Sequence, residues 1–303
     1  MSLFLGIDTS NYTTSVALVG DEQINLRKII DIREGMRGIR QSDGVFVHLK
    51  ELPKLFSKLD IDMKSVSAVG VSTKPRNAEG SYMPVFLAGE NFAKVIAKSL
   101  GVPMFEYSHQ DGHIMAGILS QNAEELLEEP FFAVHLSGGT TEILECEYKE
   151  NHFNVRVVGG TKDISAGQLI DRLGVALGMK FPCGKELDNL SLSCSKPPIK
   201  FKTSVKDGYI NFSGIETKLL SMKDTEDSGL LAKTVLAFIG KSLTEAINYH
   251  KPKKVLFVGG VASNTLLREC FENEIDAKTY FASKELSCDN AVGIAELSRR
   301  AFI

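Results

Sequence analysis

Leu3-Phe-Leu-Gly-Ile-Asp-Thr-Ser-Asn-Tyr-Thr-Thr-Ser-Val-Ala-Leu-Val19 decides the fold. Two apolar runs, Leu3–Asp8 and Thr14–Val19, flank a polar turn, Thr9-Ser-Asn-Tyr-Thr13, and read as strand, turn, strand. The unit returns in the second half, where Phe131–Leu136 and Glu142–Tyr148 flank Ser137-Gly-Gly-Thr-Thr141. A third strand is expected after each unit, near Gln23–Ile30 and Asn154–Val158. The echo is weak in letters and clear in pattern, and it predicts an α/β protein with two similar lobes and a cleft between them. The acidic stretch Asn122–Glu129 divides the halves, so the lobes are expected at 1–128 and 129–303.

Outward from these units, helical periodicity is expected at His48–Leu59, Met83–Leu100, Asn264–Glu274 and Asn290–Phe302. A further helix carries His109 and His113, with Ser108 as its cap. Val66–Ser72, Met104–Tyr107 and Lys254–Val258 read as strands. Arg33–Val47 is expected to be irregular and Lys74–Tyr82 a polar loop.

Length and composition narrow the class. With 303 residues, the chain is comfortable for two domains. Hydrophobic content of 43% and charged content of 24% are those of a globular protein. The net charge of −3 leaves no global field for nucleic acid, so any RNA contact must come from a local patch or a partner. Asp8 arrives too early, and without a basic flank, for the opening to read as a signal peptide. No apolar run reaches the roughly eighteen residues of a membrane span. Cys146, Cys183, Cys194, Cys270 and Cys288 are odd in number and form no C-x-x-C, which suits a reducing cytosol.

Six places carry chemistry. His109 and His113 stand four apart on a helix, so both rings share one face, as two ligands of one metal require; a pair of surface or capping histidines fits the same spacing. Asp289, at the mouth of the last helix, is a candidate third ligand or an ordinary N-cap. His135 closes a strand and is a further candidate ligand or a satisfied core residue. Ser137-Gly138-Gly139 and Gly259-Gly260-Val-Ala-Ser-Asn264 are glycine turns beside a strand or a helix start, where backbone approaches a phosphate closely; a glycine pair is also plain turn chemistry. Gly167 and Asp171 offer a turn and an acid for ribose hydroxyls, or a solvated Asp–Arg pair.

These residues together resemble the TsaD-type ATP-dependent tRNA threonylcarbamoyl transferases, once labelled O-sialoglycoprotein endopeptidases, of the actin/hexokinase/Hsp70-like (ASKHA) superfamily. The likeness runs from Leu5 to Ala301 in the family's order. Leu5-Gly-Ile-Asp-Thr-Ser10 resembles its opening turn, and Gly44-Val-Phe-Val-His48 its Gly-Val segment. His109-Gln-Asp-Gly-His113 resembles its metal-binding helix. Ser137-Gly-Gly139, Gly167 to Asp171, Pro182-Cys-Gly184, Phe212-Ser-Gly214, Gly259-Gly-Val-Ala-Ser-Asn264 and Asp289-Asn290 follow.

The resemblance implies two actin-like, RNase H-like lobes around a nucleotide cleft. It implies a metal, zinc or iron, on His109, His113 and Asp289, with His135 where some members place a metal-binding tyrosine. ATP or an acyl-adenylate would lie along Ser137, Gly138, Gly139, Gly167, Asp171, Gly184, Gly260 and Asn264. The activity implied is (threonyl)carbamoyl transfer to a tRNA adenosine, in the cytoplasm, with a paralogous subunit or a second copy as partner and no membrane. No nucleophile turn with a Ser-His-Asp set is present, which argues against a protease.

The departures are local. Thr9-Ser-Asn-Tyr-Thr-Thr14 lacks the acids of the family's first turn. Thr140 replaces a histidine, Gln168 a glutamate and Cys183 a glycine. They mark a divergent paralogue and keep two other classes open, a non-catalytic ATP-binding regulatory or scaffold protein and, lower, an ASKHA small-molecule kinase.

Overall fold

A computed structural model describes residues 2–10, 12–30 and 39–303. The chain divides into two compact units. The first holds residues 1–122, 148–154 and 288–303, and the second holds 123–147 and 155–287. The sequence placed the division at 128/129; the compact units divide after Asn122, and the C-terminal segment packs with the first.

The first unit is built on a five-stranded sheet in the order β3-β2-β1-β4-β5. Its strands are β1 (Leu3–Ser10), β2 (Thr13–Val19), β3 (Gln23–Ile29), β4 (Val66–Lys74) and β5 (Met104–Ser108). The β1–β2–β3 meander is antiparallel, with Asp8 opposite Ser15. β4 then pairs parallel to β1, and β5 parallel to β4. Helices α1 (Gln41–Phe56), α2 (Phe86–Leu100) and α3 (His109–Ser120) complete the N-terminal part. Leu5, Ile7, Val16, Leu18, Leu52, Val69, Val71 and Ala93 form its core.

The expected start of α1 at His48 is corrected: the helix begins at Gln41. Gly44, which weakens a helix by propensity, lies on its buried face. A Cβ there would stand 2.7 Å from Val85 Cγ1, so close packing overrides propensity. The part of the expected irregular segment at 33–38, and Asn11 of the first turn, lie outside the described residues. α2 begins at Phe86 rather than Met83, just after Pro84.

The second unit holds β6 (Phe131–Leu136), β7 (Thr141–Lys149), β8 (His152–Thr161), β9 (Tyr209–Ile210), β10 (Lys254–Val258) and β11 (Lys278–Phe281), in the order β11-β10-β6-β7-β8-β9. β6 and β7 are antiparallel, while β10 runs parallel to both β6 and β11. The plan of the first sheet is thus repeated. Its helices are α4 (Ala166–Ala176), α5 (Gly184–Ser193), α6 (Ser213–Met222), α7 (Ser228–Tyr249) and α8 (Thr265–Glu274). The buried α7 carries Leu231, Val235, Leu236, Ile239 and Leu243 into the core with Val255 and Phe257.

The last helix, α9 (Val292–Phe302), belongs to the first unit. It lies close over the sheet because glycines remove the side chains between them. A Cβ on Gly6 would meet Ala295 N at 2.7 Å, and one on Gly70 would meet Ile294 O at 2.8 Å. Among the described residues no helix is long and apolar enough to cross a membrane, and all five cysteines are free thiols.

Candidate metal centre and glycine turns

Helix α3 begins where the sequence places it. Ser108 caps it with a complete capping box: its Oγ accepts from Asp111 N at 3.1 Å, and Asp111 Oδ2 accepts from Ser108 N at 2.9 Å. Asp111 is buried, and Asn77 Nδ2 donates to both its carboxylate oxygens at 2.9 and 2.8 Å. The helix is therefore pinned in rotation, which fixes where His109 and His113 point.

The opposite wall comes from α9. Gly112 and Gly293 let α3 and α9 touch backbone to backbone: a Cβ on Gly293 would collide with the Gly112 carbonyl. This contact brings Asp289, three residues ahead of α9, to the histidines. Asp289 is not the N-cap of α9: that position is Ala291, which has no side-chain cap, and Asn290 Oδ1 accepts from Val292 N at 2.9 Å in the turn before it.

His109, His113 and Asp289 form a cluster of potential metal ligands. Their facing atoms are 3.0 Å apart for His109 Nε2 and His113 Nε2, 3.3 Å for His113 Nε2 and Asp289 Oδ1, and 3.6 Å for His109 Nε2 and Asp289 Oδ1. Ligands about 2.0–2.1 Å from a tetrahedral cation stand about 3.3–3.4 Å from one another. The triangle has that size, and two imidazoles plus a carboxylate are a fitting donor set for zinc or iron. His135 lies in β6 of the second unit, opposite Glu142, and is not a member of this cluster.

Two partners escaped the sequence reading in these roles. Asp8, fully buried at the end of β1, places Oδ2 2.8 Å from His109 Nδ1, while its Oδ1 accepts from Ser10 N at 3.0 Å. With Nδ1–H donating to Asp8, Nε2 faces the cluster. Thr13 Oγ1 donates to Asp289 Oδ2 at 3.0 Å, leaving Oδ1 toward the histidines. The first hairpin thus orients the ligands; in the sequence its turn, Asp8 to Thr14, reads as one whose hydroxyls could hold phosphate oxygens and whose acid could hold a metal or a water.

The electrostatics are those of a site short of positive charge. Burial opposes ionisation of His109, but the carboxylates of Asp8 and Asp289 outweigh it and push the imidazole up to about 10. Burial likewise opposes the charge on Asp289, yet the two imidazoles hold its carboxyl well below the ordinary range. Asp8 is lowered in the same way, burial losing to His109. A divalent metal bound by these groups would take the place of the proton on His109 Nε2.

In the second unit, the glycine turns gather at one end of the sheet. β6 and β10 are parallel neighbours, so the turns after Leu136 and Val258 lie side by side. Ser165 Oγ donates to Gly138 O at 2.7 Å, and Thr141 Oγ1 accepts from Ala166 N at 2.8 Å, tying the first turn to the start of α4. Ser165 and Gln168 form a capping box, a use of Gln168 that needs no carboxylate. Asp171 Oδ1 accepts from Cys183 N at 2.8 Å and holds the Pro182–Gly184 segment against α4; burial pushes its carboxyl up against that hydrogen bond. Its expected alternative partner, Arg172, pairs with Glu216 at 3.2 Å. Asn264 Oδ1 caps α8 by accepting from Leu267 N at 3.0 Å.

The glycines divide into two kinds. Gly167 is required by the fold, since a Cβ there would stand 3.0 Å from Gly138 N and closer still to Ser137 O. Gly259 has φ +94° and would collide with Leu136 O. Gly138, Gly139, Gly184 and Gly260 have open space where a Cβ would be. The packed chain does not need glycine at those four positions, nor at Gly214, and the backbone there is open to solvent or to a ligand.

Residues 48–296 match the family described as tRNA N6-adenosine threonylcarbamoyltransferase (TsaD). The chain belongs to this family. A TsaD relative of that name from Thermus thermophilus is 30% identical over 96% of this chain and 90% of its own length. One from Thermosipho africanus is 28% identical over 97% and 92%. Among solved structures, HypF of T. kodakarensis is similar over 99% of this chain and 47% of its own, at 14% identity and TM-score 0.61. Component A of the Acidaminococcus fermentans (R)-2-hydroxyglutaryl-CoA dehydratase is similar over 100% and 99%, at 15% identity and TM-score 0.58. A ROK-family glucokinase from Streptomyces griseus, solved with glucose and AMPPNP, is similar at 11% identity and TM-score 0.51 over 99% of this chain and all of its own. These likenesses establish the actin-like fold around the TsaD motifs.

Proposed function

We propose that this chain is a metal- and ATP-dependent transferase that places a threonylcarbamoyl or related carbamoyl group on N6 of a tRNA adenosine in the cytoplasm. The observation that carries the reading is the His109–His113–Asp289 triangle at tetrahedral spacing in a TsaD-family chain. The curated relatives are named for this reaction.

His109, His113 and Asp289 would hold the metal, with Asp8 fixing the tautomer of His109 and Thr13 the rotamer of Asp289. A divalent cation there supplies Lewis acidity toward a carbonyl or phosphoryl oxygen. The bare turns at Gly138–Gly139 and Gly260 present backbone to the phosphates of ATP or an acyl-adenylate, and Gly184 offers a flat approach for the rest of the nucleotide. Asp171 acts by holding the Pro182–Gly184 segment in place.

The test is direct. Purified protein is incubated with ATP, the carbamoyl donor and an unmodified tRNA transcript, and the nucleosides are separated by mass. An N6-carbamoylated adenosine is expected from the native chain and none from His109→Ala. A native protein that holds metal yet modifies no tRNA would instead make it a regulatory ATP-binding paralogue.

A further inference from the structure

A chain of net charge −3 that handles RNA needs a local cationic surface. One segment of the second unit supplies it. Residues 195–206 carry Lys196, Lys200, Lys202 and Lys206 and no acid. Exposure alternates along its second half: Lys200, Lys202, Ser204 and Lys206 are exposed, while Phe201, Thr203 and Val205 are half-buried between them. Phe201 and Val205 pack on the core of the unit. In extended chain, alternate side chains repeat at about 6.7 Å on one face. The segment is not a regular strand, but the same alternation of exposure turns Lys200, Lys202 and Lys206 outward.

The row is anchored. Ile199 N donates to Thr234 Oγ1 on α7 at 3.0 Å, and Thr203 Oγ1 donates to Glu245 Oε2 one end further along α7 at 2.6 Å. Lys206 and Tyr209 exchange backbone hydrogen bonds at 2.9 Å. Two more lysines flank it, Lys218 with its ammonium 5.4 Å over the ring of Phe201 and Lys162 4.6 Å over that of Tyr209. Among the described residues none of the four lysines of the segment is in an ion pair. Glu245, at the Thr203 anchor, and Glu269 and Glu274, which line a cavity with Lys200, are the acids nearby, yet none of them is in an ion pair with the four lysines, and the backbone that carries these is held at both ends.

We propose that the 196–206 segment is the surface on which the second unit takes the phosphate backbone of RNA. The proposal rests on the reading of the chain as a tRNA-modifying transferase. A polyanion with regularly spaced charges matches a row of unpaired ammonium groups, and an ordered row loses little entropy on engaging it. An anionic membrane is the weaker match, because its binders turn aromatic or aliphatic side chains outward, whereas Phe201 and Val205 turn inward.

The test uses the full chain and a fluorescent, unmodified tRNA transcript across a salt series. The triple variant Lys200→Gln/Lys202→Gln/Lys206→Gln is compared with a control that removes three exposed lysines of the first unit, Lys58, Lys64 and Lys98. The triple variant of the 196–206 segment, here the strap, is expected to bind about tenfold more weakly near physiological salt, with the slope of log K against log salt reduced by about 2–3. Its melting temperature and ATP binding are expected to stay native, and the control to bind tRNA as the native chain does. Unchanged affinity and slope in the strap variant would overturn the proposal while leaving the transferase reading intact. Equal losses in strap and control variants would overturn it too, as would native binding to phosphatidylserine vesicles but not to tRNA. Failure of the native chain to modify any tRNA, with strap-dependent tRNA binding retained, would remove the transferase reading alone.

Discussion

Asp8 and His109 are joined by a 2.8 Å contact between a fully buried carboxylate and the imidazole nitrogen that points away from the metal cluster. They stand 101 positions apart in the sequence, and the contact makes the end of β1 part of the candidate metal centre. Outer partners of this kind set ligand tautomer and basicity, and their loss costs about 10–100-fold in metal affinity. Asp8→Asn keeps the shape and removes the charge. It is expected to weaken zinc or iron binding by that factor, read by competition with a chromophoric chelator, while His109→Ala or His113→Ala leaves the purified protein essentially metal-free by elemental analysis. Native metal content in the histidine variants would exclude them as ligands.

The Gly112–Gly293 contact is expected to be as sensitive as the ligands. Alanine gains about 1 kcal/mol over glycine in a helix interior. A methyl group on Gly293 would collide with the Gly112 carbonyl and approach Ala116 N at 2.8 Å, and neither is the end of a flexible side chain. Overpacking against backbone costs about 1–3 kcal/mol or more and here outweighs the propensity gain. Gly293→Ala is expected to lower the melting temperature by several degrees and to reduce metal content, because separating the helices moves Asp289 from the histidines. A more stable variant with full metal would refute this account of how the site is built.

Much of this was legible in the sequence. The strand–turn–strand echo marked both sheets because short apolar runs broken by hydroxyl-rich turns are local signals. His109, His113 and Ser108 were legible for the same reason: i, i+4 spacing and capping are matters of one helix turn. The start of α1 was not, because Gly44 is chosen by contact with Val85, which no local rule contains. Asp8 was read as the end of a strand and Thr13 as part of the turn after it; their partners lie in α3 and at Asp289, and such pairing exists only after folding. Gln168, a departure from the family letters, is explained by the capping box with Ser165.

His48 supplies a pH test away from the ligands. It is buried, shares a 2.8 Å hydrogen bond with Thr14 Oγ1, and burial pulls its imidazole down to about 4 against the attraction of Asp8. The unfolded chain binds this proton below about 6.5 and the folded chain only below about 4. Between those values the unfolded state holds more protons, so stability is full above about 6.5 and falls as pH drops toward 4. The whole step is worth about 3 kcal/mol. Urea midpoints at pH 7 and pH 4.5 are expected to differ more for the native chain than for His48→Gln. Equal pH dependence in the two would show that the imidazole is not held neutral.

The two kinds of glycine make the sharpest test of the nucleotide cradle. At Gly138 a methyl group meets nothing and the backbone is not left-handed, so Gly138→Ala removes freedom only from the unfolded chain and is expected to stabilise by about 0.4–1 kcal/mol. The same methyl group would occupy the space offered to the phosphates, so ATP binding by calorimetry is expected to weaken at least tenfold, about 1.4 kcal/mol. At Gly167 the order reverses: the methyl group strikes Ser137 and Gly138, and Gly167→Ala is expected to destabilise the second unit whether or not nucleotide is present. A Gly138→Ala protein that is more stable and binds ATP natively would mean that the open space at this turn belongs to solvent and not to a ligand.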